Sequence, residues 1–379
     1  MKKIFFAGII GLFLFELLKV YFIMPFPGSQ KMESINVAYF LFSWRWLFRI
    51  FFIALTVFAF LKAKWKSKWV PGLIIILFSI LVFAVNFKMA ADHMFYQTSH
   101  LSMKEPAGNK VDPSQIVIGI ERNGEAKAYP VQYIGYHHQV LDSLNGDPII
   151  VTYCTVCRTG RIYEPKVKGK YDVFRLVGMD HFNAMFEDAS TKSWWRQVNG
   201  VAIAGNLKGE SLPELLSTQT SLSNWLSMYP ASKIMQPDSF FLDQYASLKD
   251  FESGKSKSNL VGTDTSSWKD KSWVVGIKVG GQSKAYDWNK LKRQRIIHDS
   301  LNEVPVLLIL TADDKSFFAL ERPSNESQFT MKNDTLYQGN STYRLDGKGI
   351  GSAVSLKRLP AYQEFWHSWR TFNQGTKVY

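Results

Sequence analysis

Apolar residues crowd the first quarter of the chain and thin out sharply after it. Residues 4–24 form a nearly continuous apolar run broken by Glu16 and Lys19, and two further stretches cover residues 44–61 and 71–87. Each approaches the ~20 residues that a helix needs to cross a bilayer. The pattern therefore predicts three transmembrane helices within residues 1–90. Met1-Lys2-Lys3 resembles the charged start of a cleavable signal, but the apolar run is too long and no small-x-small site follows it, which favours a retained helix. After a juxtamembrane connector at residues 91–115 the pattern becomes short β-branched stretches bounded by turn residues. A hairpin is expected at 116–129 around Asn123-Gly124, a buried strand at 147–153, and short helices near 212–216, 222–229 and 361–372.

This second region contains an internal repeat. Val117-Ile118-Gly119-Ile120 and Ala126-Lys127-Ala128-Tyr129 return as Val274-Val275-Gly276-Ile277 and Ser283-Lys284-Ala285-Tyr286, at an offset of 157 residues. The same offset pairs Asp142-Ser143-Leu144-Asn145 with Asp299-Ser300-Leu301-Asn302 and Pro148 with Pro305, while Trp225 and Lys233 answer Trp369 and Lys377. The first copy spans residues 116–235 and the second, less well kept, 273–379. Residues 236–272, with Ser253-Gly254-Lys255-Ser256-Lys257-Ser258, read as a linker. The expected architecture is a three-helix transmembrane segment followed by a β-rich, α+β ectodomain built from two repeats.

Charge sharpens the picture. Of the formal +13, residues 1–90 hold 11 Lys/Arg against 2 Asp/Glu, a net +9, which leaves +4 for the remainder. A basic excess concentrated beside apolar helices argues against nucleic acid and for membrane orientation. Lys2, Lys3 and the Lys62, Lys64, Lys66 and Lys68 loop belong on the cytoplasmic side, so the C-terminal domain is expected outside the cytoplasm, anchored in the inner membrane by several passes. Arg45 and Arg49 then fall near the outer end of the second helix, where snorkelling beside Trp44 and Trp46 is the expected arrangement and burial in a functional role the alternative.

Residues present in both copies serve the fold, and Asp142/Asp299 and Asn145/Asn302 read as turn or cap residues. The first copy alone carries Tyr153-Cys154-Thr155-Val156-Cys157-Arg158, where the second has Thr311 and Asp314 in place of the sulfurs. The chain's 2 cysteines exclude a multi-disulfide scaffold and a four-thiolate zinc site. At this spacing they suit a redox pair, half of a metal site, or a structural disulfide. No His follows, which argues against c-type haem, and a turn into another strand argues against a thioredoxin-like helix start. His137, His138 and His181 also lack second-copy partners, and a Cys/Cys/His/His set would suit zinc or copper. His137-His138 is expected on a neighbouring strand, with the two rings on opposite faces. Asp180 accompanies His181.

The strand Val151-Thr152-Tyr153-Cys154-Thr155-Val156-Cys157, the segment from Asp188 through Thr191, Ser193, Trp194 and Trp195 to Gln197, and Gly200-Val201-Ala202-Ile203-Ala204-Gly205 resemble the bacterial and archaeal family called domain of unknown function 3179. The family pattern is V-T-Y-C-x-x-C, D-x-x-T-x-S-x-W-x-Q and G-x-A-I-x-G, and the resemblance covers about residues 110–379. Family members usually have Pro-Leu and Gly where this chain has Thr155-Val156 and Arg158, and Glu where it has His138. The resemblance implies an exported or membrane-anchored protein and brings no established activity. From the residues themselves, Asp188, Thr191 and Ser193 suit a hydrogen-bonded turn anchored by the tryptophans, with a pocket formed by Asp188, Trp195 and Gln197 as the functional alternative.

Together these features point to a metal-binding or thiol-redox accessory protein of the cell envelope, with the lipid bilayer and envelope membrane proteins as its expected partners. The second hypothesis is a non-catalytic ligand-binding or assembly module whose cysteines form a structural disulfide.

Overall fold

The computed structural model describes residues 1–379 and divides into two compact units that interleave along the chain. Met1–Tyr96, Asp172–Arg196 and Val201–Ser211 make the first, and Gln97–Tyr171, Gln197–Gly200 and Leu212–Tyr379 the second. Residues 172–196 and 201–211, which the repeat places in its first copy, thus group with the N-terminal helices.

The first unit opens with α1 (Lys2–Tyr21), α2 (Ile35–Ser43), α3 (Arg45–Lys62) and α4 (Trp69–Phe83), the last extended by a π-helical turn at Ala84–Lys88. Two helices, α1 and α4 with its extension, are long and apolar enough to cross a membrane, and there are three if α2 and α3, bent by 61°, count as one span. Small residues let α1 and α3 approach closely. A Cβ on Gly8 would lie 2.3 Å from Thr56 Oγ1, and one on Gly11 2.2 Å from the Phe52 ring.

Arg49 does not snorkel. It pairs with Glu16 at 2.6 Å, and Lys19 meets the same carboxylate at 3.1 Å. Asn86 closes the cluster by donating to Glu16 and accepting from Arg49. The four-stranded sheet of this unit, Phe174–Asp180, Asn183–Asp188, Trp194–Arg196 and Ala202–Ala204 in spatial sequence, packs Val177, Met185 and Trp194 against Val20, Ile23 and Ala38 of the helical segment. Met179 N–H donates to the Ile23 carbonyl at 2.8 Å, and Tyr39 Oη to that of Lys192 at 3.1 Å.

In the second unit the two stretches aligned in the sequence form the same succession of elements. Ile116–Arg122, Glu125–Pro130, the helix Val131–His137, Gln139–Leu144, Asp147–Cys154 and Thr159–Tyr163 correspond to Trp273–Val279, Gln282–Asp287, the helix Trp288–Gln294, Ile296–Leu301, Val304–Leu310 and Phe317–Glu321. In each, a late strand joins the first hairpin strand antiparallel (Thr218–Ser221, Ala361–Phe365) and a short final strand joins the second in parallel (Lys233–Met235, Lys377–Val378). The expected helix near 212–216 is a strand, Glu214–Leu215, whereas Leu222–Met228 and Trp366–Phe372 are helical. Residues 236–272 include the helix Leu242–Ser247 and bury Tyr245 and Phe251.

Side chains shared by the two stretches make matching contacts. Tyr129 donates to Asp142 at 2.7 Å with Lys127 at 3.0 Å, and Tyr286 donates to Asp299 at 2.9 Å with Lys284 at 2.6 Å. Asp142 and Asp299 are therefore strand residues clamped by Tyr and Lys, not turn or cap residues. Asn145 and Asn302 do sit in turns, at φ 52° and 51°. Trp225 covers Gly119, and Trp369 covers Gly276, where a Cβ would lie 2.1 Å from the ring.

Overpacking of this kind costs typically 1–3 kcal/mol. Gly276→Ala is expected to lower the thermal unfolding midpoint of the detergent-solubilised protein by several degrees, whereas Gly281→Asn, at a φ of 79° with open space around it, should leave it nearly unchanged.

Candidate functional site

The strand Asp147–Cys154 enters the second unit as an apolar run and reverses through a four-residue turn into Thr159–Tyr163, with Cys154 opposite Thr159. Cys154 precedes this turn and Cys157 lies within it, both buried and both present as thiols. Arg158 closes it in the left-handed region, at φ 57°. A side chain there costs roughly 1–2 kcal/mol, and glycine avoids that cost. Here the guanidinium offsets it with three hydrogen bonds, to Gln363 Oε1 at 3.0 Å and to the carbonyls of Phe251 and Glu252 at 2.9 and 2.8 Å. The cation also lies 3.6 Å from the Trp273 ring centroid.

Residues far along the chain hold the rest of the turn. The Val156 carbonyl accepts from Lys271 Nζ and from His367 Nε2, each at 3.0 Å, and the Cys157 carbonyl from the Phe365 amide at 2.9 Å. Burial pulls the Lys271 ammonium below its ordinary value, while the adjacent sulfurs of Cys157 and Cys154 act to keep it charged. Burial, reinforced by Lys271, lowers His367 to about 4 and leaves it neutral at pH 7. A shallow cleft of about 410 Å³ lined by residues from Ser258 to Lys271 ends on this lysine.

Beside the turn, Arg161 and Glu364 form an ion pair at 2.6 Å with side-chain exposures of 2% and 0%. Thr159 and Ser368 also donate to Glu364, and Arg161 stacks on Tyr362. Gln197 reaches the same strands, donating to Thr152 Oγ1 at 3.0 Å and the Thr159 carbonyl at 3.2 Å. Gln219 donates to Gln363 at 2.8 Å, so equivalent positions of the two late strands meet.

The three histidines expected as ligands sit in different settings. His137 and His138 end a short helix, with His138 at φ 61° as its C-cap, instead of alternating along a strand. His137 Nε2 lies 2.6 Å from Tyr245 Oη within a nest of aromatic rings. Burial, helped by His137, lowers His138 to about 4. His181 belongs to the first unit, where His181 and Phe182, at φ 49° and 66°, form a two-residue hairpin turn. Its Nδ1 lies 2.7 Å from Asp180, which Arg196 also grips, and the Asp180 hydrogen bond raises its pKa. No group of three or more His, Cys, Asp or Glu side chains is placed to hold a metal ion.

Asp188 accepts from the Thr191 and Ser193 amides, Thr191 Oγ1 and Trp195 Nε1, the last two at 2.8 and 2.9 Å. Burial pushes its carboxyl up, but these donors outweigh it and hold the group below its ordinary value. Asp188, Thr191, Ser193 and Trp195 thus form a satisfied turn of the first unit, and Gln197 alone of that motif belongs with the thiol strands.

Lys271, His367, Arg161 and Glu364 were missed by sequence reasoning. Arg161 and Glu364 carried a signal, since each is a charged strand residue in one copy facing an uncharged position, Phe318 or Thr220, in the other.

Removing one partner of a buried ion pair costs about 3–5 kcal/mol. Glu364→Gln should therefore destabilise the protein strongly in thermal melts, and Arg161→Met combined with Glu364→Leu should recover most of the loss. His367 predicts a pH dependence. Its folded pKa of about 4 lies below the reference 6.5, so stability is fully present above pH 6.5 and is lost as pH falls towards 4. In melts across that window, His367→Gln is expected to shrink the loss by up to about 3 kcal/mol.

No curated protein and no solved structure matches the chain. A family model described as "Protein of unknown function (DUF3179)" matches residues 98–376, a span that holds the thiol turn, its clamps, the first aligned stretch and all but the last three residues of the second, and the chain belongs to that family.

Proposed function

We propose that this is a membrane-anchored protein of the cell envelope whose Cys154 and Cys157 form a thiol redox site. In this reading α1, the α2–α3 pair and α4 span the cytoplasmic membrane. Lys2, Lys3 and the Lys62 to Lys68 loop face the cytoplasm, and the β-rich domain lies outside it. That domain is a duplication in which the first copy keeps the chemistry and the second supplies the clamp. The observation that carries the reading is Lys271, a desolvated ammonium beside both sulfurs and bonded to the turn between them. A nearby cation favours thiolate, the form that attacks a disulfide. Oxidation joins the two Sγ atoms with loss of two protons and two electrons, which pass to a thiol–disulfide partner protein of the envelope. A zinc or copper site is the weaker fit, because no group of three or more donor side chains is placed to hold a metal ion, and His137 and His181 lie against Tyr245 and Asp180.

The test is the pH dependence of the thiolate ultraviolet absorbance of the full chain, read against Cys154→Ser and Cys157→Ser, since both sulfurs are buried from an alkylating reagent. The inflection for the more acidic thiol is expected below the ordinary ~8.5, and Lys271→Gln should raise it by about one unit. An inflection at or above the ordinary value that Lys271→Gln does not move would contradict the reading. Elemental analysis separates the metal alternative, for which one metal ion per chain would be present and lost in Cys154→Ser.

A further inference from the structure

Two cavities of the first unit, one polar and one apolar, share Arg49 and Phe87 in their walls. The polar cavity, about 660 Å³, lies among the ends of α1 and α4, the α2–α3 bend and the sheet. The apolar one, about 420 Å³, is a groove between α1, α3 and α4, lined by Ile9 and Leu12, Ile53 and Val57, and Ile75 and Val82. From Glu16 to Ile9 it runs about 10 Å along α1, at 1.5 Å per residue. Both volumes fall in the range of small-molecule sites, roughly 300–1,000 Å³.

The charges around the polar cavity do not cancel. Glu16 is taken by Arg49 and Lys19, while Asp92 and Glu187 are both taken by Arg175, at 3.2 and 2.8 Å. Arg45 and Lys192 line the same cavity and form no ion pair. Arg45 spends one hydrogen bond on the Phe42 carbonyl, at 2.6 Å, and rests on the Phe42 ring, which leaves most of its five N–H donors for a ligand. A cationic recess adjoining a hydrocarbon-lined groove, with Arg49 and Phe87 in the walls of both, in helices apolar enough to lie in a membrane, matches a ligand with an anionic head and an apolar chain.

We propose that the paired cavities bind an anionic phospholipid, with an acyl chain along the α1–α3–α4 groove and the phosphate-bearing head group against Arg45 and Lys192. The site is independent of the thiol chemistry. A head group held there touches the α2–α3 bend and the sheet together, so it would also fix the helices to the sheet.

Full-length protein in detergent, mixed with phosphatidylglycerol or with phosphatidylcholine of the same acyl chains, tests this by native mass spectrometry. Phosphatidylglycerol is expected to be retained about tenfold more strongly, a difference of about 1.4 kcal/mol. Arg45→Gln should lower its retention by about fivefold or more without changing that of phosphatidylcholine, and the exposed Lys192→Gln should act in the same direction by a smaller factor. Ile75→Trp, which fills the groove, should lower retention of both lipids. Each variant is first checked for a wild-type melting curve, and Lys192→Gln carries the head-group test if Arg45→Gln fails that check. Equal retention of the two lipids, no effect of the cavity variants, or inorganic phosphate displacing the lipid completely would each overturn the proposal, the last by reducing the site to a soluble-anion pocket.

Discussion

Arg161 and Glu364 lie 203 residues apart in the sequence and 2.6 Å apart in the fold, both withdrawn from water. Arg161 also meets Glu214 at 3.4 Å, but Glu364 has no other ion-pair partner, and an unpaired buried carboxylate loses several kcal/mol of solvation. The strand that leaves the thiol turn, Thr159–Tyr163, and the late strand of the second aligned stretch, Ala361–Phe365, are therefore obliged to meet at this point. Once they do, the Phe365 amide falls on the Cys157 carbonyl, Gln363 on Arg158, and His367 on the Val156 carbonyl. Such a pair adds little net stability over an apolar substitute. Its effect is to select one arrangement, and the geometry of the thiol turn follows from that selection.

The aligned stretches contribute unequally to the thiol turn. Their shared residues build the same clamps twice: Tyr and Lys on Asp142 or Asp299, and Trp225 or Trp369 over a glycine. Where they diverge, the first contributes Cys154, Cys157 and Arg161, and the second contributes Glu364 and His367. The connecting segment, which composition alone suggests is a linker, supplies Lys271 and the carbonyls of Phe251 and Glu252. Arg158 shows how specific the arrangement is, since a side chain occupies a left-handed position only because its guanidinium finds three acceptors and an aromatic face there.

Much of the scaffold was legible from the sequence because its signals are local or periodic. The apolar runs mark helices long enough for a membrane, and the offset of 157 predicts strands that form at the expected places. The site was only half legible. Cys154 and Cys157 announce themselves, but Lys271 and His367 reach them across more than a hundred residues, and no local pattern encodes such a contact. His181, expected as a ligand, stands in a hairpin turn with Phe182 and pairs with Asp180, while Asp188 spends its oxygens on the turn that the sequence leads one to expect. Arg49, expected at the interface, is partly buried and turned inward because Glu16 and Asn86 stand on the facing helices, an arrangement visible only once α1, α3 and α4 are packed.

The central claim is that Cys154 and Cys157 are a redox pair held by the second half of the domain. The most direct measurement is an equilibrium redox titration of the full chain in thiol–disulfide buffers, with the Cys154–Cys157 linkage quantified by mass spectrometry. A thiol pair of this kind predicts one reversible two-electron transition, absent in Cys154→Ser and in Cys157→Ser. Thiols that stay reduced across the whole range, or a disulfide that once formed cannot be reduced without unfolding the protein, would contradict it.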